Sequence, residues 1–153
     1  MRHLAVIACL LLAIASGCAS PPSRFYTLSA AAAPAATVST VSVAVGPVSL
    51  PAVVDRPQIV VSTGANEVRL DEFNRWASPL ADNIVRVLAD NLARELGTAR
   101  VWPYGQATRS SPDHQVLIDF QRLDSTLGEG VLIEALWTVR PAAGGAAKSG
   151  RSQ

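Results

Sequence analysis

The side chains able to do covalent or acid–base chemistry are few. His114 closes the run Ser110-Ser111-Pro112-Asp113-His114, which sets a hydroxyl, a carboxylate and an imidazole close together in sequence. A nucleophilic triad is defined by geometry in space, and this polar, Pro-containing run reads as a solvated loop. Asp119 and Glu134 stand on two neighbouring strand candidates and could meet as paired carboxylates for general acid–base work. Solvent-facing strand positions explain them more simply. Gly128-Glu129-Gly130 lies between strands, and Gly46, Gly64 and Gly97 fit no phosphate-binding spacing. Catalytic, cofactor-binding and metal residues are therefore all expected to be absent, and the chain reads as a non-enzyme.

The remaining reactive group is a thiol. Arg2 and His3 give a short positive start, Leu4 to Ile14 is an uncharged apolar run, and Ala15-Ser16-Gly17 precede Cys18. This is the pattern of a secretory signal peptide, and the run is shorter than the roughly 20 residues a membrane-spanning helix needs. Small residues followed by Cys resemble the bacterial lipobox, in which the Cys is lipidated and becomes the first mature residue. Ala19 follows, where Asp would favour retention at the inner membrane. Removal of residues 1–17 takes away Cys9 and His3. Cys18 then has no disulfide partner, and His114 alone cannot build a His/Cys zinc site.

Composition narrows the class further. The 153 residues are 49% apolar and 16% charged, with a net charge of +1. The basic side chains form no runs, as a nucleic-acid surface would require. Aromatic residues, at 5%, are too sparse for a base-stacking platform.

The elements that must position these groups follow from hydropathy patterning. Phe25 to Leu28 is a short strand candidate, and Ser29 to Thr40 reads as an Ala-rich linker. Val41 to Val45 alternates as a strand, and Pro47 within its continuation suggests a bulge or an edge. Gln58–Ser62 and Glu67–Leu70 form a hairpin around Thr63-Gly64-Ala65-Asn66. Ser78 (N-cap), Pro79 (first position) and Gly97 (C′) frame a helix with Leu80, Ile84, Leu88, Leu92 and Leu96 on one face. Arg86 falls on its polar face. Its charges are mixed, so the apolar face is expected to pack on a core and not on a membrane. Arg100 to Trp102 is a short strand. Val116 to Gln121 and Val131 to Val139 form a second hairpin, the latter apolar on both faces. Pro141 to Gln153 is Ala/Gly/Ser-rich and reads as a disordered tail. With no other large apolar group there, Leu132 and Leu136 are expected to be exposed beside an unprotected sheet edge.

Two polar clusters remain. Asp55-Arg56-Pro57 lies in a turn, where an Asp–Arg pair could brace the backbone. Glu72-Phe73-Asn74-Arg75-Trp76 leads into the helix, where Phe73 and Trp76 could pack under its start and Arg75 could bridge to a carboxylate.

These blocks carry a family resemblance. The lipobox Cys, Arg24-Phe25-Tyr26-Thr27-Leu28, Val45-Gly46-Pro47-Val48-Ser49-Leu50-Pro51, Asp55-Arg56-Pro57-Gln58-Ile59-Val60, Glu72 to Trp76, Asn91-Leu92 and Leu96-Gly97 occur in one order. Together they resemble the PqiC/YmbA-type lipoproteins, the ABC-type transport auxiliary lipoproteins, over about Cys18 to Val139. The resemblance implies an α/β (α+β) fold: a mixed, largely antiparallel sheet with at least one amphipathic helix on one face. It implies a lipid-anchored outer-membrane protein facing the periplasm. Such a protein would work with an MCE-domain protein and an inner-membrane transporter to move lipids or other apolar molecules between membranes. Asp55, Arg56, Pro57, Phe73, Asn74, Arg75 and Trp76 would be partner or structural positions. Homo-oligomerisation stays open, and nucleic acid is not expected. Family members continue past Val139 with further strand and a C-terminal helix, so part of the family fold is expected to be missing. The expected organisation is a signal peptide at 1–17, lipidated Cys, tether and linker at 18–40, one domain at 41–140, and the tail at 141–153. The alternatives are a structural lipoprotein stabilising an outer-membrane assembly, or an envelope hydrolase.

Overall fold

The computed structural model describes residues 20–33, 35, 37–106 and 111–153. The leader, Cys18 and part of the 108–114 loop lie outside the described residues.

Hydrophobic alternation generates most of the strands. They are β1 (Arg24–Tyr26), β2 (Val43–Ser49), β3 (Gln58–Gly64), β4 (Glu67–Trp76), β5 (Val101–Pro103), β6 (His114–Thr126), β7 (Gly130–Pro141) and β8 (Lys148–Ser152). One helix among the described residues, α1 (Leu80–Leu96), joins β4 to β5. The sheet runs β1-β4-β3-β6-β2-β5, and β7 pairs with the other side of β6 and carries β8. Antiparallel ladders (β3/β4, β6/β7, β7/β8) hold most of the paired residues, and the parallel contacts are shorter. The fold is the mixed α+β class expected from the sequence.

Helix α1 packs on β2 and β5. Its start closes a cluster of Val54, Val60, Leu80 and Ile84, to which Trp76, Phe120 and Leu123 are added. Its second half covers Val43, Val45 and Ala89, joined by Leu92, Val116 and Ile118. Leu88 touches both clusters. Gly97 ends the helix at φ 60°, and the Thr98 amide donates back to the Ala93 carbonyl, so the C-terminal signal is read correctly. The N-terminal signal is shifted by one residue. Pro79 occupies the cap position, and Ser78 instead accepts from the Asn83 side chain at 2.9 Å. The bulge expected at Pro47 is present in β2, where the register shifts between Val45 and Val48.

Both expected unstructured ends differ. The tail after Pro141 is not disordered throughout, because Lys148–Ser152 pair with Ala135–Val139 of β7. Gly150 makes this approach feasible, since a Cβ there would strike the Trp137 ring. The Trp137 indole also donates to the Ser152 hydroxyl at 3.2 Å. The edge of β7 is thus covered along Ala135–Val139, and the expected absence of further strand is corrected. Leu136 nevertheless remains 42% exposed, with Val131 and Ile133 also exposed.

The 29–40 linker is likewise tied down at several of its described residues. The Ala31 and Ala32 amides donate to Asn91 Oδ1, each at 2.9 Å. The Ala35 amide donates to the Arg94 carbonyl and the Ser39 amide to the Leu96 carbonyl. Both carbonyls belong to the last turn of α1, where acceptors lack partners within the helix.

Candidate functional site

The two polar clusters singled out by sequence meet in space. Pro57 accepts a backbone bond from the Trp76 amide at 2.7 Å, and Gln58 pairs with Arg75 across β3/β4. A cleft of about 300 Å³ results, lined by Asp55, Arg56, Pro57, Trp76, Ser78, Pro79 and Leu80. Its walls are largely apolar.

The expected roles of these residues change in detail. Asp55 and Arg56 form no ion pair among the described residues; Asp55 is exposed, and Arg56 Nε is buried without a hydrogen-bond partner. The turn needs no such brace, because the Val54 and Asp55 amides already donate to the Pro51 carbonyl. Among the described residues Arg75 reaches no carboxylate, and its Nε is also buried without a partner. Trp76 does pack with Leu80 in the core, but Phe73 is 40% exposed because β4 continues through it. Asn74 is a junction: its Oδ1 accepts from the Tyr26 hydroxyl at 2.8 Å, and its Nδ2 donates to Asp71 at 2.8 Å. Asp71 also accepts from the Phe73 and Asn74 amides. Hydrogen bonding from Asn74 holds the Asp71 carboxyl below its ordinary pKa.

Sequence reasoning missed the residues that fix the N-terminal segment to this region. Asn83 is 2% exposed and fully engaged. Its Oδ1 accepts from the Thr27 hydroxyl at 2.8 Å and from Arg86 at 3.2 Å, while its Nδ2 serves Ser78. Arg86, read as a polar-face residue, also donates to the Leu28 carbonyl at 2.8 Å. The Ala77 amide donates to the Tyr26 carbonyl, and β1 runs parallel to β4 with Arg24 opposite Asn74. One signal was available: Asn83 and Asn91 fall at i+3 and i+11 from Leu80, inside the apolar stripe. A buried amide there must find partners outside its helix.

The candidate acid–base groups do not assemble. Asp119 lies opposite Leu136, and Glu134 opposite Arg122, so the two carboxylates are not cross-strand partners. Glu134 is flanked by Arg151 of β8 and by Arg122 at 3.8 Å. Asp124, bonded to Arg122 at 2.5 Å, raises the guanidinium pKa further. The hydroxyl–carboxylate pairs include Ser42–Asp113 (2.6 Å) and Ser49–Asp119 (2.5 Å), and among the described residues neither hydrogen-bonds the His114 imidazole; the His114 amide donates to the Ser42 carbonyl. Ser42 is 1% exposed, and His114 Nδ1 is buried without a partner. Asp113 closes a reciprocal latch on the start of β2, accepting from the Ser42 amide and hydroxyl and donating from its own amide to the Ser42 hydroxyl. These bonds lower the Asp113 pKa.

A mixed, bulged sheet with one covering helix among the described residues and an N-terminal segment fastened along it defines an α+β domain. Two solved structures share the fold. One is a crystal structure of an uncharacterized protein, 17% identical, with a TM-score of 0.64 over 86% of this chain and 79% of that one. The other is protein XCC0632 from Xanthomonas campestris, of family DUF330, 16% identical, with a TM-score of 0.66 over 85% and 77% of the two chains. No curated protein matches the chain significantly. The family model of the ABC-type transport auxiliary lipoprotein component matches residues 26–153, and the chain belongs to that family.

Proposed function

We propose that this protein is a lipid-anchored, non-catalytic component of an ABC/MCE-type system that moves lipids or other apolar molecules between inner and outer membranes. It acts from the periplasmic face of the outer membrane, held by acyl chains on Cys18. The family match over residues 26–153 carries this reading. The lipobox-like exit of the leader and the absence of Asp after Cys18 support the anchor and its membrane. Two or more chains are needed for stable anchoring, at about 0.8 kcal/mol per buried CH₂. Its partners are an MCE-domain protein and inner-membrane transporter components, and the cleft between Arg56 and Trp76 is the surface offered to them.

Affinity capture from solubilised envelopes tests the reading. Recovery of MCE-domain and permease components, reduced by Arg56→Ala and lost from the membrane fraction with Cys18→Ser, is the expected result. Capture of outer-membrane assembly proteins alone would replace it with the structural-lipoprotein alternative.

A further inference from the structure

The largest exposed aromatic groups near the N-terminus share one sheet edge. Phe25 is 64% exposed, and Tyr26 and Phe73 are each 40% exposed. Phe25 lies opposite Arg75 on paired strands and shares its face, and Phe73 precedes Arg75 by two residues in β4, whereas Tyr26 and Arg24 alternate to the other face with Asn74. The patch is held firmly by the β1/β4 ladder, the Tyr26–Asn74 bond and the Thr27–Asn83–Arg86 network. Arg75, half-buried and opposite Phe25, is the cation on that face.

Chain length limits where this patch can be. Arg24 follows Cys18 by six residues, a reach of about 20 Å at roughly 3.3–3.6 Å per extended residue. The Ala-rich stretch that would have lengthened the leash is fastened to α1 beyond β1 and adds nothing to it. A rigid, aromatic-rich edge tethered this closely to acylated Cys18 lies within reach of the bilayer surface. Exposed phenylalanine rings beside a cation are groups that seat at the headgroup–acyl boundary.

The geometry points to a lipid-facing surface: Phe25 and Phe73, with Arg75 beside them, rest on the periplasmic headgroup layer and fix the orientation of the domain. This rests on the Cys18 anchor proposed above and specifies which face of the anchored domain meets lipid. The occupant is phospholipid and not a second protein, because the leash places the patch next to the membrane before any partner arrives.

The mature lipidated chain contains no thiol other than acylated Cys18, so a single introduced cysteine can be labelled. Phe25→Cys and Phe73→Cys report the patch. Leu127→Cys and Val38→Cys are controls at exposed apolar positions, 69% and 84% exposed, in the β6–β7 turn and beside the C-terminal end of α1. Each chain, carrying an environment-sensitive fluorophore, is reconstituted in phosphatidylethanolamine/phosphatidylglycerol vesicles containing a headgroup-nitroxide lipid. The expected result is blue-shifted emission, quenched about twofold or more, at 25 and 73 only, as for groups seated about 5–10 Å into the interface. Equal emission and quenching at all four positions in chains that float with the vesicles would overturn the surface while leaving the anchor intact. Failure of the purified chain to float would overturn the anchor, and the surface with it.

Discussion

The two ends of the described chain share a composition and differ in how they are held. Residues 29–40 and 141–153 are both rich in small residues and contain no strong hydrophobic pattern. The N-terminal stretch is fastened by side chains and carbonyls of α1, from partners about 60 positions away in sequence: Asn91 to Ala31 and Ala32, and Arg94 to Ala35. The C-terminal stretch is fastened by a regular ladder to β7, with partners from Val139↔Lys148 to Ala135↔Ser152 and Gly150 under Trp137. Small residues are permissive in both places, since they let another element come close. The N-terminal segment depends on a few discrete donors and acceptors, so single substitutions should release it, whereas the C-terminal strand shares its attachment over five residue pairs.

Both ends rest on the same core, and the largest effect is expected there. Leu88→Ala removes the side chain common to both hydrophobic clusters and should cost about 2–5 kcal/mol in a denaturant titration. Asn83→Ala should come next, at roughly 1–3 kcal/mol, because Thr27 and Arg86 lose a shared buried acceptor and Ser78 loses a donor. Loosened β1 should appear with it, as faster proteolysis near Arg24. A smaller and more local effect is expected from Gly150→Val, which would place a side chain in the Trp137 ring. Overpacking of this kind costs about 1–3 kcal/mol in a core. Here it should mainly detach β8, seen as a changed Trp137 environment with little loss in the global melt. Loss of cooperative folding in this variant would show that the C-terminal strand matters more than the N-terminal clamp.

The smallest effect concerns pH. Asp113 and Asp71 have carboxyl pKa values lowered by hydrogen bonds. Between the folded and ordinary values the unfolded chain binds more protons, so stability rises with pH there. The contribution is complete above the ordinary carboxylate range and is lost as pH falls through the folded values. Asp113→Asn should therefore flatten the acid limb of a stability–pH profile. An unchanged acid limb would show that the Ser42 latch does not form.

Residues whose structure depends on their own neighbours were legible in sequence. The α1 stripe and its Gly97 ending, the β3/β4 and β6/β7 hairpins and the bulge at Pro47 all follow from local periodicity and backbone preference. The association of Asp55-Arg56-Pro57 with Trp76 was visible only as two separate clusters, because a backbone bond from Trp76 to Pro57 leaves no trace in residue type. Strands β1 and β8 are short, and their pairing is decided by distant partners. Asn83 and Asn91 interrupt an apolar stripe, and that interruption was the clearest available sign that something polar docks on the helix.

The central claim is that residues 24–33, 35 and 37–39 belong to the folded domain. Amide hydrogen exchange measures this directly. In the wild-type chain, the amides of Ala31, Ala32, Ala35 and Ser39 should be protected, and Asn91→Ala should abolish protection at Ala31 and Ala32 while Ser39, bonded to Leu96, keeps it. Exchange of all four amides at unstructured-chain rates in the wild type would contradict the claim and return the segment to a flexible tether.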